Sequence, residues 1–223
     1  NLKIINENDS SQLKESKILD NALKRENFQR NFALKKLHEV NDNDLILIND
    51  LDEIPELKNF SYKNKITIFK QRMLYFKFNL VYKNLSWTGS KICKKKDLIS
   101  PQWLRNIKTR KYPLWRLDIF FSKKKYNNIE IIENGGWHFT NIKTADEIHH
   151  KMKSFLHHFE YENSGLNPEM IEKLIKDKKA LYNYNADQRD NKWSNNSELE
   201  KINLEFLPDY INENLDKYQN WLS

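Results

Sequence analysis

The residues with the clearest chemistry are three carboxylates in four positions, Asp50, Asp52 and Glu53, within Asn49-Asp-Leu-Asp-Glu-Ile-Pro55. They directly follow the apolar run Leu45-Ile-Leu-Ile48. If that run is a strand and the chain stays extended, residues i and i+2 lie on one side, so Asp50 and Asp52 converge. Like charges held that close repel unless a cation lies between them. A hard divalent ion such as Mg²⁺ or Mn²⁺ takes carboxylate oxygens and keeps positions open for phosphates. In open α/β sheets ligands bind beyond the carboxyl ends of the strands. A metal there neutralises a diphosphate and helps it leave. The plainer alternative is a solvated turn that happens to be acidic.

The second signal is Gly135-Gly-Trp-His-Phe139. Paired glycines after a strand allow positive φ and close approach to a ligand. His138 suits a metal or a phosphate oxygen, and Trp137 offers a flat face to a sugar or base. A packed corner is the alternative. His150 and His157 fall opposite the apolar stripe of their helix and read as surface residues. Cys93 stands beside Lys94-Lys-Lys96, which lowers a thiol pKa, but no His or Asn partner is placed by spacing. No nucleophile elbow, P-loop or Gly-x-Gly-x-x-Gly occurs.

These groups need elements to hold them. Leu2–Ile5 reads as a short strand, and residues 12–39 as a long helix. On it Leu19, Leu23, Glu26, Arg30, Ala33 and Leu37 share one face, predicted to meet the core. Glu26 and Arg30 interrupt that stripe, as an i, i+4 pair at its edge or as groups facing a ligand. Leu45–Ile48 is continuous enough for a central strand buried on both faces of a mostly parallel sheet. Pro55 ends that segment. Further strands are predicted at 65–69, 73–82 and 129–132, with an irregular stretch at 85–111. Thr144-Ala-Asp-Glu147 forms a capping box ahead of Ile148, Met152, Phe155, Leu156 and Phe159. Asn167-Pro168 starts a helix with Met170, Ile171, Leu174 and Ile175 inward, and Pro208 starts the last, with Ile211, Leu215, Tyr218 and Leu222 inward. Residues 183–200 read as a loop.

The 223 residues suit a single domain with a full core. With 4 Gly, 5 Pro and 13% aromatic residues, collagen-like, linker-dominated and disordered chains are excluded. One cysteine excludes an internal disulfide framework. No apolar run approaches the roughly 18–20 residues of a membrane-spanning helix. The net charge of +7 permits polyanion binding, but the lysine runs 94–96 and 123–125 read as solvated loops, so no nucleic-acid partner is expected.

In order along the chain, Arg25-Glu-Asn-Phe-Gln-Arg-Asn31, Asp44-Leu-Ile-Leu-Ile-Asn-Asp-Leu-Asp-Glu-Ile-Pro55, Arg72 with Tyr75, Gly135-Gly-Trp-His-Phe139 and Lys151-Met-Lys-Ser-Phe155 resemble glycosyltransferase family 17. His157 or His158, and Pro208 with Tyr210, add to the match. The resemblance implies a GT-A type, Rossmann-like α/β fold with a mixed, mostly parallel sheet. Family members carry strand–helix segments ahead of the first helix, so the resemblance implies either a minimal member or an N-terminally truncated one. A single glycosyltransferase domain is expected over 1–223: a nucleotide-sugar and metal half at 1–60, an acceptor half at 61–160 and a helical part at 161–223. The implied activity is metal-dependent, inverting transfer of a sugar, by analogy N-acetylglucosamine from UDP-GlcNAc, to a glycan, glycoprotein or polysaccharide. The implied cofactor is Mn²⁺ or Mg²⁺, held by Asp50, Asp52 and His138. Asp50, Arg30, Glu26 and Trp137 are expected at the donor, with Trp87 stacking on sugar. Glu53 is the expected base, with Asp118 the alternative. Localisation is expected in the cytoplasm or at the cytoplasmic membrane face. The rivals are a non-catalytic polyanion- or glycan-binding module and a metal-dependent phosphoesterase.

Overall fold

The computed structural model describes residues 2–110, 112–113, 115–154, 158–186, 192–193 and 197–223. Helix α1 (Ser11–Phe32) comes first; the Ser10 side chain accepts from the Leu13 N–H, and a tighter 3₁₀ turn, Ala33–Glu39, continues the helix. Strands β1 (Leu45–Ile48) and β2 (Glu53–Pro55) flank the acidic cluster. A long hairpin follows, β3 (Ile66–Tyr75) and β4 (Leu80–Lys94). Helix α2 (Pro101–Arg105), strands β5 (Ile129–Ile132) and β6 (Gly136–Thr140), and helices α3 (Ala145–Ser154), α4 (His158–Ser164) and α5 (Pro168–Lys176) come next. Strand β7 (Leu199–Lys201) and helices α6 (Asp209–Asn212) and α7 (Leu215–Tyr218) complete the order.

The seven strands of the described residues join one open sheet with the hairpin at its centre. β4 carries β1 and β7 in line along its outer edge, both antiparallel. β3 carries β5 and β6 in line along its other edge, both parallel. β2 closes the far side, antiparallel to β6. The sheet is therefore mixed and mostly antiparallel, which corrects the mostly parallel expectation. The reason is local: residues 76–79 turn the chain back on itself, so the predicted single strand at 73–82 is two strands of a hairpin.

The central strand is β3, not β1. Ile66, Ile68, Phe69, Met73, Leu74 and Tyr75 are all fully buried, as expected for a strand covered on both faces. β1 lies at an edge, and its Leu45 is 43% exposed. On one face Met73, Tyr75 and Tyr82 pack with Ile148, Tyr161 and Ile171. Elsewhere Ile66, Ile68 and Cys93 meet Trp103 and Leu104 of α2, while Leu74 and Trp137 meet Leu207 and Ile211.

Other expectations change too. Leu2–Ile5 forms no strand, although the Lys3 backbone bonds the buried Asn21 side chain of α1. The apolar stripe of α1 does not meet the core: Asn21 is its one buried residue, and Leu23 is 40% exposed. The stretch 85–111 contains most of β4 and α2, the latter signalled by Ser100 as N-cap and Pro101 at N1. Residues 183–200 contribute to β7. Thr144 and Glu147 cap α3 reciprocally, as predicted. Ile148 and Met152 are buried, whereas Phe155, Leu156 and His157 lie outside the described residues. Asn167 caps α5 as predicted, but Met170 is 47% exposed. Among the described residues no helix is long and apolar enough to cross a membrane.

Candidate functional site

The acidic cluster is a tight turn, not an extended segment. The Glu53 N–H donates to the Asp50 carbonyl at 3.1 Å, and the Asn49 amide spans the turn to the Asp50 and Glu53 carbonyls at 3.0 and 3.1 Å. The period-two rule therefore fails, and Asp50 and Asp52 take different partners. Asp50 accepts from Arg30 Nη2 at 3.2 Å and Arg105 Nη2 at 2.8 Å. Asp52 faces His138, with Oδ2 to Nε2 at 3.4 Å.

Glu53 has a third role. Its side chain is fully buried. Oε1 accepts from Trp87 Nε1 at 2.8 Å and Arg105 Nη2 at 3.0 Å; Oε2 accepts from Arg105 Nη1 at 2.8 Å and the Asp50 N–H at 3.0 Å. A carboxylate with all four sites filled by donors positions its neighbours and has no lone pair turned toward an acceptor hydroxyl. Burial works against the Arg105 charge, but Glu53 and Asp50 outweigh it and raise the Arg105 pKa. Arg105 is in turn held from behind: buried Lys91 donates to the Arg105 and Ile107 carbonyls at 2.5 and 2.9 Å. Gly89 leaves room for this network, since a Cβ there would lie 1.9 Å from Gln71 Oε1 and 3.1 Å from Glu53 Cδ. Sequence reasoning missed Arg105 and Lys91, because nothing in their local pattern marks one cation among 38.

The Gly-Gly-Trp-His segment brings His138 to the turn. It is strand β6, which pairs Glu53 with His138, Ile54 with Trp137 and Pro55 with Gly136. Gly136 has φ +133°, and a Cβ on it would lie 2.1 Å from the Ile54 carbonyl oxygen. Its freedom serves the close approach of β2 rather than a ligand. The Phe139 N–H donates to the Asp52 carbonyl at 2.8 Å and extends the pairing into the turn. His138 is buried and stacks on Trp87, with centroids 4.6 Å apart and planes inclined by 19°. Its Nδ1 is buried and has no hydrogen-bond partner among the described residues. Burial pushes the Asp52 carboxyl up, but the His138 imidazole, with Lys151 behind it, outweighs burial and holds it below the usual range. The Lys151 ammonium, itself pushed down by burial, bonds Asn141 Oδ1 at 2.9 Å.

Trp137 does not face this site. It is 7% exposed, packs with Leu74, Leu207 and Ile211, and donates to the Phe206 carbonyl at 2.6 Å. The expectation of a stacking role is corrected: alternation along β6 sends Trp137 and His138 to opposite faces. Asp118 is bound by Arg116 and Lys125, which hold its carboxyl down to about 2, far from a neutral-pH base. Cys93 is corrected as well: burial pushes its thiol up to about 12.

Glu26 and Arg30 meet the first of the two expectations for them. They form an i, i+4 pair at 2.8 Å, and both line a cleft of ≈400 Å³ with Gln29, Asn49, Asp50 and Leu51. Arg30 also donates to Gln102 Oε1, tying α1 to α2. A second cleft of ≈280 Å³ is lined by Trp87, Tyr182, Tyr184 and Trp193 with Glu160 and Lys192.

A cation fits one pair of these side chains. Asp52 Oδ2 and His138 Nε2, 3.4 Å apart, are the carboxylate and imidazole that would hold a divalent ion here. Asp50 does not fit, because both its oxygens face guanidinium groups. Among the described residues no three His, Cys, Asp or Glu side chains gather at one point. An ion held here completes its sphere with water or substrate oxygens. No protein-family model matches the chain, and comparisons with curated proteins and with solved structures return no match.

Proposed function

We propose that the chain is a metal-dependent, inverting glycosyltransferase of the family 17 type, moving a sugar from a UDP-sugar, in the first instance UDP-GlcNAc, to a glycan acceptor. The observation that carries this reading is the contact between Asp52 and His138, far apart in sequence, in the same turn as Asp50, which lines a cleft with Arg30. Asp52 and His138 are the residues that would hold Mn²⁺ or Mg²⁺. The ion supplies positive charge to the departing diphosphate. Arg30, on the cleft wall, offers a guanidinium to phosphate. Asp50, oriented by two arginines, keeps acceptor lone pairs for donor hydroxyls. Lys151 adds positive charge near Asp52.

The acceptor is assigned to the aromatic cleft, where Trp87 joins it to His138. Half-buried rings there present flat faces to sugar. Glu160 lines that cleft, and in this reading it takes the acceptor proton in place of Glu53 and Asp118. Those rings also favour a second reading, a glycan-binding module without catalysis, because stacking on sugar needs no leaving group.

The test is a screen of UDP-sugars with Mn²⁺ across an acceptor panel, read as free UDP. Turnover is expected with at least one pair. Asp52→Asn is expected to reduce it about 100-fold or more without moving the melting temperature, since the Asp52 side chain is 41% exposed. Saturable glycan binding with no UDP released from any donor selects the binding module. Asp52→Asn turning over like the parent removes the assignment of the metal.

A further inference from the structure

Residues 108–125 combine two properties that water-facing loops seldom share. Trp115, Leu117, Phe120 and Phe121 are 78%, 72%, 69% and 89% exposed. Large apolar side chains gathered this way on a surface mark an interaction site. The same segment contains seven Lys or Arg and one acid, Asp118, a net of 7 − 1 = +6 within a chain whose total is +7. Most of the net positive charge of this protein thus falls, in sequence, within the segment that carries four of its strongly exposed apolar residues.

The loop is built to present them. Ile119, 5% exposed, anchors its middle. The Trp103 indole donates to the Lys123 carbonyl at 2.6 Å, and the Lys108 N–H to the Lys124 carbonyl at 2.9 Å, which ties its ends to α2 and to each other. The Leu117–Ile119 turn then directs Leu117 and Phe120 outward. Asp118 is neutralised within the loop by Arg116 at 2.8 Å and Lys125 at 2.7 Å, so no unpaired anion opposes a negative surface.

We propose that this loop seats the chain on an anionic lipid surface, its aromatic and leucine side chains entering the headgroup region and its lysines and arginines meeting the lipid charge. Trp and Phe settle at membrane interfaces because their rings are apolar and flat. Basic residues beside them add attraction that acts within about a Debye length. Leu117 has no stacking face for a base, and in sequence the cations stand mainly on either side of the Trp115–Phe121 run, which favours lipid over single-stranded nucleic acid.

The experiment is co-sedimentation of the full chain with phosphatidylcholine vesicles with and without about one-third phosphatidylglycerol. Binding is expected to be at least about tenfold stronger to the anionic vesicles and to weaken with salt. The triple variant Trp115→Ser, Phe120→Ser, Phe121→Ser keeps the charge and is expected to lose about tenfold or more. Should that variant melt early, Phe121→Ser alone, together with quenching of Trp115 by bromine-labelled acyl chains taken as the difference from Trp115→Phe, decides the question. Equal binding by parent and apolar variants, equal binding to both vesicle types, absence of quenching, or displacement from vesicles by equimolar polyuridylate would each overturn the proposal.

Discussion

Glu53→Gln is the substitution that separates a positioning carboxylate from a catalytic one. The change is nearly isosteric, so its cost is electrostatic. Glu53 meets four donors, three of them from Arg105 and Trp87 and one from the Asp50 backbone. Glutamine offers one oxygen and one NH₂. Whichever way the amide turns, its two hydrogens confront two donors that lose their acceptor. Each buried donor left unpaired costs about 1–3 kcal/mol, and breaking a buried ion pair by removing one partner costs about 3–5 kcal/mol. The two figures describe the same loss, so about 3–5 kcal/mol is the expected destabilisation. For a chain of this size that is a fall of roughly 6–20 °C in melting temperature. Urea unfolding followed by circular dichroism measures it. The double variant Glu53→Leu, Arg105→Met removes both charges and is expected to be less destabilised than the sum of its singles, with a coupling of about 1–3 kcal/mol. A Glu53→Gln variant that keeps stability within about 1 kcal/mol but loses turnover would refute this reasoning and return Glu53 to the role of base.

Two further expectations concern buried titratable groups. Burial, with the Arg105 charge beside it, pushes the Lys91 ammonium from 10.5 down to about 8, against the pull of Glu53. Between those values the unfolded chain binds a proton that the folded chain does not, so unfolding free energy rises with pH across that window and is lower below it. Urea titrations of the parent and Lys91→Met should therefore diverge by up to about 1.4 kcal/mol per pH unit; a difference that is flat or falls from pH 8 to 10.5 contradicts the assignment. Cys93 is fully buried with its thiol pushed up to about 12, so an aromatic disulfide reagent at neutral pH should label it only on unfolding. Labelling of the native chain within seconds would show the strand to be open.

What the sequence made legible was local. The capping box, the proline-started helices and the strand runs depend on neighbours a few residues apart, and Thr144–Glu147 and Asn167–Pro168 behave as their types demand. The sheet order was not legible, because a continuous apolar run looks the same in parallel and antiparallel surroundings. Leu45–Ile48 has the composition of a central strand and lies at an edge. Asp52, His138, Asp50 and Arg30 were singled out from their types and positions, and the structure pairs Arg30 with Asp50 and His138 with Asp52. Trp137 was misread because its strand alternation was hidden inside a glycine-led motif. Arg105 lay in a stretch that the sequence presented as irregular, and its carboxylate partners are more than fifty residues away.

The same turn explains why crowded acids are a weaker sign of a metal than they look. Three carboxylates in four residues repel one another, and a bound cation is one remedy. Here the protein provides its own: Arg105 bridges Asp50 and Glu53, and Arg30 adds a second charge to Asp50. Asp52 is thereby set apart. It is the one acid of the three with no guanidinium partner among its ion pairs, and it meets the buried imidazole instead. That division follows from register. Glu53 lies opposite His138 in the β2–β6 pairing, and the missing Cβ of Gly136 lets β2 approach closely enough to hold that register. A slip of one residue would turn each side chain of β2 to the opposite face, carrying Glu53 out of the arginine network and breaking the Asp52–His138 contact in one step. The network that stabilises this sheet edge and the contact proposed to hold a cation are therefore two outcomes of one strand pairing.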